Sequence, residues 1–267
     1  IHFVGGADWL RHTHFGSLKI KDAIVDQFRS RTGIRPNIDA KDPDIQLQAT
    51  LTRGRLSVAI DFSRDSLHRR GYRSEGAKAP LKENLAAALL LRAGWCELAA
   101  DKRPLLDACC GSGTLVIEAA LMAADIAPGL LRQRFGFEHW KQHDAAGWRS
   151  LLDEATQRRH DGLANGLPPL IGMDADQAAI VAARSNAKRA NLDGVCRFIN
   201  CSLDQWPPDN LPLDLPGLLI SNPPHGERLG DTEALIPLYE QLGHNLKQIL
   251  PGWRAAIFTP DQTLARA

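Results

Sequence analysis

The sequence predicts an α/β protein built on a parallel sheet and preceded by part of a smaller α+β segment. Three observations predict it. From Pro80 onward, helical and strand patterns alternate. A short apolar strand then runs into a glycine-rich turn at residues 109–113. Before Pro80, one helical stretch is followed by two alternating strands around a glycine turn.

The opening residues read as irregular up to Gly16. Leu18, Ile20, Ile24, Val25 and Phe28 then fall near helical spacing, so a helix is expected over 17–31, stopped by Gly33 and Pro36. Ile45, Leu47, Ala49 and Leu51 alternate with polar residues, as do Leu56, Val58 and Ile60 beyond the Thr52-Arg53-Gly54-Arg55 turn; this predicts a hairpin. One helix and one hairpin bury too little to form a core, so residues 1–63 read as the back part of a domain. Residues 64–79 gather Arg64, His68, Arg69, Arg70, Arg73 and Lys78 around Tyr72 and read as a basic linker. The third region, 80–267, predicts helix 81–93, strand 104–108, helix 113–124, strand 169–173, helix 176–191, strands 195–199 and 217–221, helix 233–249 and strand 254–259. Strands separated by helices imply parallel pairing with right-handed crossovers. Residues 125–168 interrupt this rhythm as an insertion with a helix near 144–160.

Composition is that of a globular protein, 44% apolar and 24% charged, which excludes disordered and fibrous classes. No apolar run reaches the roughly 18 residues of a membrane span, and no secretory leader opens the chain, so a cytosolic protein without a membrane partner is expected. The five cysteines are odd in number and form no CxxC or CxxH pair, which suggests neither a disulfide framework nor a metal site. Net charge is +1, but its distribution is uneven: residues 1–80 carry 14 Lys and Arg against 9 Asp and Glu, the remainder 18 against 22. A basic front on an acidic body suits a protein whose one part tracks phosphates, with Arg64, Arg69, Arg70 and Arg73 as candidate RNA contacts.

The turn Asp107-Ala108-Cys109-Cys110-Gly111-Ser112-Gly113 follows an apolar strand and opens a helix, the place where open α/β sheets bind nucleotides. A dinucleotide fingerprint needs a third glycine where Val116 stands, and a P-loop needs a lysine that is absent. The remaining pattern suits a ligand with an amino acid and a nucleoside but no phosphates, which describes S-adenosylmethionine. Asp107 would then engage the cationic amino end, Gly111 and Gly113 would admit the sugar and methionine portions, and Cys109 lies within the same contact turn. Asp174, at the tip of the second strand, is placed to hold a ribose diol, and Ser202 or Asp204, after the third, to reach the adenine amino group. An ordinary strand-to-helix turn would show the same glycines.

The stretch Ser221-Asn222-Pro223-Pro224-His225 ends the fourth strand, and its Asn-Pro-Pro-aromatic pattern resembles the motif of amino-group methyltransferases acting on nucleic-acid bases. An exocyclic amine on a base is a poor nucleophile because its lone pair is delocalised into the ring. Two hydrogen-bond acceptors, the Asn222 side-chain oxygen and the Pro223 carbonyl, would favour a pyramidal nitrogen and aim its lone pair. The two prolines restrict the residues before them to extended geometry and so fix the acceptors' direction. His225 would stack on a base taken out of its helix. Asn222 also borders the cofactor side. Pro-Pro alone is common turn punctuation.

Taken with Lys19-Ile20-Lys21-Asp22-Ala23-Ile24, His68-Arg69-Arg70-Gly71-Tyr72-Arg73, Pro80-Leu81-Lys82-Glu83-Asn84-Leu85 and Asn222-Pro223-Pro224-His225-Gly226-Glu227-Arg228-Leu229, these motifs resemble the ribosomal large-subunit methyltransferase L family. In that family a THUMP RNA-binding domain precedes a Rossmann-like class I methyltransferase domain with an Asn-Pro-Pro-aromatic motif. The resemblance implies transfer of methyl from S-adenosylmethionine to guanine N2 in 23S rRNA, or in an assembling large subunit. It also implies that the front of the THUMP domain and the final sheet strands lie outside this chain, as in a fused two-methyltransferase protein. His225 departs from the usual tyrosine, Cys109 from a common proline, and Ser202 from an aspartate. A tRNA guanine-N2 enzyme, an adenine-N6 enzyme and an inactive RNA-binding module remain the alternatives.

Overall fold

The computed structural model describes residues 1–10, 12–73, 81–209, 211–212, 214–226 and 231–267. They form two compact units, Ile1–Ser66 with Gln133–Trp148, and Leu67–Arg132 with Arg149–Ala267.

In the first unit, strands β1 (His2–Gly5), β2 (Gln46–Thr52) and β3 (Arg55–Asp61) make a sheet in that order, with helix α1 (Thr13–Thr32). The expected helix and hairpin are present: β2 pairs antiparallel with β3 around the Arg53-Gly54 turn, and α1 ends at Gly33 with a left-handed φ of +71°. The opening stretch is a strand rather than irregular. Phe3 makes it one, because β1 runs parallel to β2 and Phe3, opposite Ala49, completes a small core with Ala49 and Leu51. Residues 133–148, read from sequence as part of the catalytic-region insertion, pack inside this unit. Arg64 and Arg134 both pair with Asp42, Phe137 N–H donates to the Phe62 carbonyl (3.2 Å), and Trp140 meets the Phe62 ring edge-on at 5.6 Å.

The second unit carries helices α2 (Glu83–Arg92) and α3 (Trp95–Ala100), strand β4 (Leu105–Asp107), helix α4 (Thr114–Ala123), most of helix α5 (Ala145–Ala164), strand β5 (Leu170–Asp174), helix α6 (Gln177–Arg189), strand β6 (Cys196–Asn200), strand β7 (Leu218–Ser221), helix α7 (Asp231–Ile249), strand β8 (Arg254–Ile257) and helix α8 (Gln262–Arg266). Its five strands are all parallel, in the order β6-β5-β4-β7-β8. This is the predicted parallel α/β sheet. The central strands β4 and β7 are continuous apolar runs buried on both faces, as helices on either side of a parallel sheet require. The chain winds outward from β4 to β6, then returns to start again at β7. The switch point therefore lies between β4 and β7, where the carboxyl ends of such sheets open a crevice. The expected helix over 81–93 is α2; α3 follows it as a separate short helix, because Gly94 takes φ +76° and breaks the hydrogen-bond ladder between them.

Segment 67–73 is fastened to α4. Tyr72 is fully buried; its hydroxyl donates to Glu118 Oε1 (3.0 Å), and Arg70 Nη2 lies 3.3 Å from Glu118 Oε2. Arg73 Nη2 donates to Thr114 Oγ1 (2.6 Å) and to the Leu81 carbonyl (2.9 Å). Arg189 Nε donates to the Tyr72 carbonyl (2.7 Å).

Candidate functional site

The carboxyl ends of β4, β5 and β7 bring the predicted residues together. β4 pairs with β7 through Leu105↔Leu218 and Leu106↔Leu219, and with β5 through Asp107↔Gly172, so Asp107 sits centrally between the Asp174 and Asn222 turns. Asp107 is 1% exposed and accepts hydrogen bonds from Ser221 Oγ (2.7 Å) and the Cys109 N–H (3.2 Å). Burial outweighs those bonds and, with the negative charge of Asp174 nearby, pushes the Asp107 carboxyl up to about 7. The Cys109 N–H also donates to Ser221 Oγ (3.0 Å). Burial pushes the Cys109 thiol up to about 12, which keeps it a neutral wall of the turn and no nucleophile.

Asp174 closes the same turn from β5. Its Oδ2 accepts from the Gly111 N–H (2.8 Å) and its Oδ1 from the Asp176 N–H (2.9 Å), while each oxygen retains a second acceptor site. Asp176 caps α6 through the Ala178 N–H, as expected for a helix-start aspartate. The two glycines of the turn have different duties. Gly111 takes φ +52°, and a Cβ there would meet nothing within 4 Å, so its face is open to a ligand. Gly113 takes φ +83°, but a Cβ would lie 2.9 Å from the Phe198 ring and 3.0 Å from Ala183. Close helix–strand packing therefore requires glycine at 113.

Asn222 and His225 sit at the tip of β7. Asn222 Oδ1 and His225 Nδ1 are buried and have no hydrogen-bond partner among the described residues. Pro223 is buried, and the Pro224 carbonyl accepts from the Tyr239 hydroxyl of α7 (3.3 Å). The same helix holds the loop after β6, where buried Asn245 donates to the Leu203 carbonyl (2.7 Å). That loop carries half-buried Ser202 and exposed Asp204. Asn200 Nδ2 ties it to the β5 tip by donating to the carbonyls of Asp174 and Ala175 (2.9 Å each). Residues 227–229 of the quoted motif, and 74–79 of the basic linker with Lys78, lie outside the described residues.

The described arginines of the basic run are engaged differently within each unit. Arg64 pairs with Asp42 in the first unit. In the second, Arg70 and Arg73 turn inward to Glu118, Glu83 and Thr114. Arg69 is exposed, and its carbonyl accepts from Arg132 Nη1 (3.0 Å). A buried carboxylate at Glu118 requires such a cation. Sequence reasoning missed Glu118, Ser221, Tyr239 and Asn245. The signal available for Glu118 was an acid within an otherwise apolar helix.

The donor set fits S-adenosylmethionine. An open glycine face lies beside two carboxylates that can meet an ammonium group and a diol, and the 107–113 turn holds no cation for a phosphate. A doubly wound sheet with this turn on one side of its switch point and a buried, unpaired asparagine oxygen on the other defines a nucleoside-cofactor enzyme of the Rossmann-like class. The chain belongs to the RMKL-like methyltransferase domain family, which it matches over residues 70–267, with a THUMP domain match over 8–61.

It is 52% identical, over 96% of its length, to the ribosomal RNA large subunit methyltransferase K/L of Syntrophotalea carbinolica. This chain spans only 36% of that relative's length. The crystal structure of SMU.472 complexed with SAH superposes with a TM-score of 0.81 at 31% identity, covering 99% of this chain and 67% of that one. A Listeria monocytogenes protein described as a predicted N6-adenine-specific DNA methylase superposes at 0.76, again at 31% identity, over 95% and 62%. Among the described residues, no helix is long and apolar enough to cross a membrane.

Proposed function

We propose that this chain transfers a methyl group from S-adenosylmethionine to the exocyclic N2 of a guanine in 23S rRNA, in the bacterial cytoplasm. The observation that carries the reading is the buried, unpartnered Oδ1 of Asn222 on the strand next to the Asp107 turn. A buried carbonyl oxygen left unpaired costs about 1–3 kcal/mol, and an amine hydrogen of a substrate base satisfies it. The names of the K/L relatives favour ribosomal RNA over tRNA.

S-adenosylmethionine, when bound, supplies an electrophilic sulfonium methyl. Asp107 and Asp174 bind its ammonium and ribose groups, Gly111 leaves room for it, and the Ser202 to Asp204 loop borders its base. Asn222 Oδ1 and the Pro223 carbonyl accept the two hydrogens of the guanine amine and orient its lone pair. The His225 ring lies against the extruded base, which stacking holds against the cost of unstacking it. The proton leaves the amine after transfer, so no tuned general base is needed.

Two expected results follow from these roles. Asp174→Ala removes the diol acceptor and the Gly111 latch together, and S-adenosylhomocysteine affinity by calorimetry is expected to fall at least about tenfold. For RNA contact, Arg69 is the arginine of the run that is exposed and, among the described residues, has no ion pair. Arg69→Glu is expected to raise the Kd for an rRNA fragment and to flatten its salt dependence by about one to two counterions, with the fold intact. Unchanged binding at low salt would remove Arg69 from the interface.

Nucleoside mass spectrometry of RNA from a strain lacking the protein tests the assignment. The reading expects loss of an N2-methylguanine from 23S rRNA. Loss of a methylated adenine, or of a tRNA nucleoside with 23S rRNA unchanged, would assign the chain to a different substrate. A full complement of methylated nucleosides would support a binding module without catalysis.

A further inference from the structure

Ser221 has no part in the roles assigned above, yet its side chain is the one direct hydroxyl bridge described between the two halves of the site. It is fully buried at the end of β7. Its Oγ donates to Asp107 Oδ1 at 2.7 Å and accepts the Cys109 N–H at 3.0 Å, so it grips the cofactor turn at a side chain and at the backbone. On its other edge, the Ser221 carbonyl accepts the Phe258 N–H at 2.9 Å beyond β8. The next residue is Asn222, and the two prolines after it pass on whatever direction Ser221 sets.

We propose that Ser221 is a positioning residue that holds the methyl-acceptor turn in register with the cofactor turn and keeps the Asp107 carboxylate ready for the cofactor ammonium. The proposal rests on the reading of this site as a base-amine methyltransferase. The chemistry is a balance at one carboxyl. Asp107 faces the Ser221 hydroxyl from β7, the Cys109 N–H and the Cys109 and Cys110 thiols from its own turn, and the Asp174 carboxylate from β5. Burial and Asp174 favour its neutral form; the Ser221 hydroxyl opposes them. As pH falls through about 7 the charge that attracts an ammonium is lost, so cofactor affinity falls on the acid side. Without the hydroxyl, that midpoint rises.

The test compares wild type, Ser221→Ala, Ser221→Thr, Asp107→Asn and the Ser221→Ala/Asp107→Asn double variant. S-adenosylhomocysteine binding is measured by calorimetry from pH 5.5 to 9 without RNA, and methyl transfer to rRNA is measured separately. Ser221→Ala is expected to move the binding midpoint upward by about one pH unit and to lower kcat by about 10–100-fold with little change in RNA KM. Ser221→Thr restores both. In the Asp107→Asn background, Ser221→Ala leaves cofactor affinity unchanged. A merely structural serine would lower Tm without moving the midpoint, and its effect would add to that of Asp107→Asn; either result overturns the proposal. Because the binding arm needs no RNA, it decides the role of Ser221 at Asp107 even if wild type methylates no guanine, which would refute the functional reading instead.

Discussion

Asn222→Ala is expected to lower kcat for methyl transfer by about 10²–10³-fold while leaving S-adenosylhomocysteine affinity within about twofold. The magnitude is that of removing one preorganised hydrogen-bonding group aimed at a reacting atom. It applies here because the Asn222 oxygen is already buried, already desolvated and unpaired among the described residues, so nothing needs reorganising when the amine arrives. The same change deletes an unsatisfied polar atom, so thermal stability is expected to hold or rise slightly. Lost activity with undiminished Tm distinguishes a residue kept for chemistry from one kept for folding. Steady-state kinetics on an rRNA substrate, calorimetry and a thermal melt read the three quantities. Normal turnover by Asn222→Ala would remove Asn222 from the chemistry.

Arg70→Ala is expected to destabilise the fold by about 3–5 kcal/mol, because it strands a buried carboxylate. Glu118 has its side chain 3% exposed, and Arg70 is its cationic partner, with Tyr72 supplying a neutral hydroxyl. Burial already raises the Glu118 carboxyl above its ordinary range, and Arg70 is the chief influence opposing that rise. Removing Arg70 raises it further. A carboxyl whose folded pKa lies above its unfolded value stabilises the fold in acid and loses that contribution as pH rises through the folded pKa. The deficit of Arg70→Ala is therefore expected to be larger at pH 8 than at pH 5 in urea unfolding, and adding Glu118→Gln should recover most of it. A deficit independent of pH would mean that Glu118 is not the stranded group.

The same pair shows where the sequence was legible and where it was not. A cluster of arginines reads alike whether each faces water or an acid, because the partner of Arg70 lies 48 residues away in chain order, inside α4. Glu118 could have announced it, since a lone acid in an apolar helix needs a cation. The parallel sheet was plain because each strand is a short apolar run between longer helical patterns. The site turns were plain because glycine and proline restrict the backbone wherever they stand. β1 was hidden because four residues carry almost no periodicity and its partner β2 begins some forty residues later. The grouping of 133–148 with the first unit was hidden for a related reason: chain continuity points to the flanking helices, while Gly136, Phe137 and Trp140 are matched to Asp61 and Phe62 only in space. The packing need at Gly113 was hidden, because a glycine that makes room for Phe198 and one that makes room for a ligand are the same letter.

Methyl transfer requires cofactor and target base to meet at the switch point between β4 and β7. A crystal structure of the chain with S-adenosylhomocysteine tests this most directly. The expected result is the ribose hydroxyls on Asp174, the amino group toward Asp107 and the sulfur facing Asn222 Oδ1 across an open gap. A ligand bound elsewhere, or one whose sulfur points away from Asn222, would contradict it.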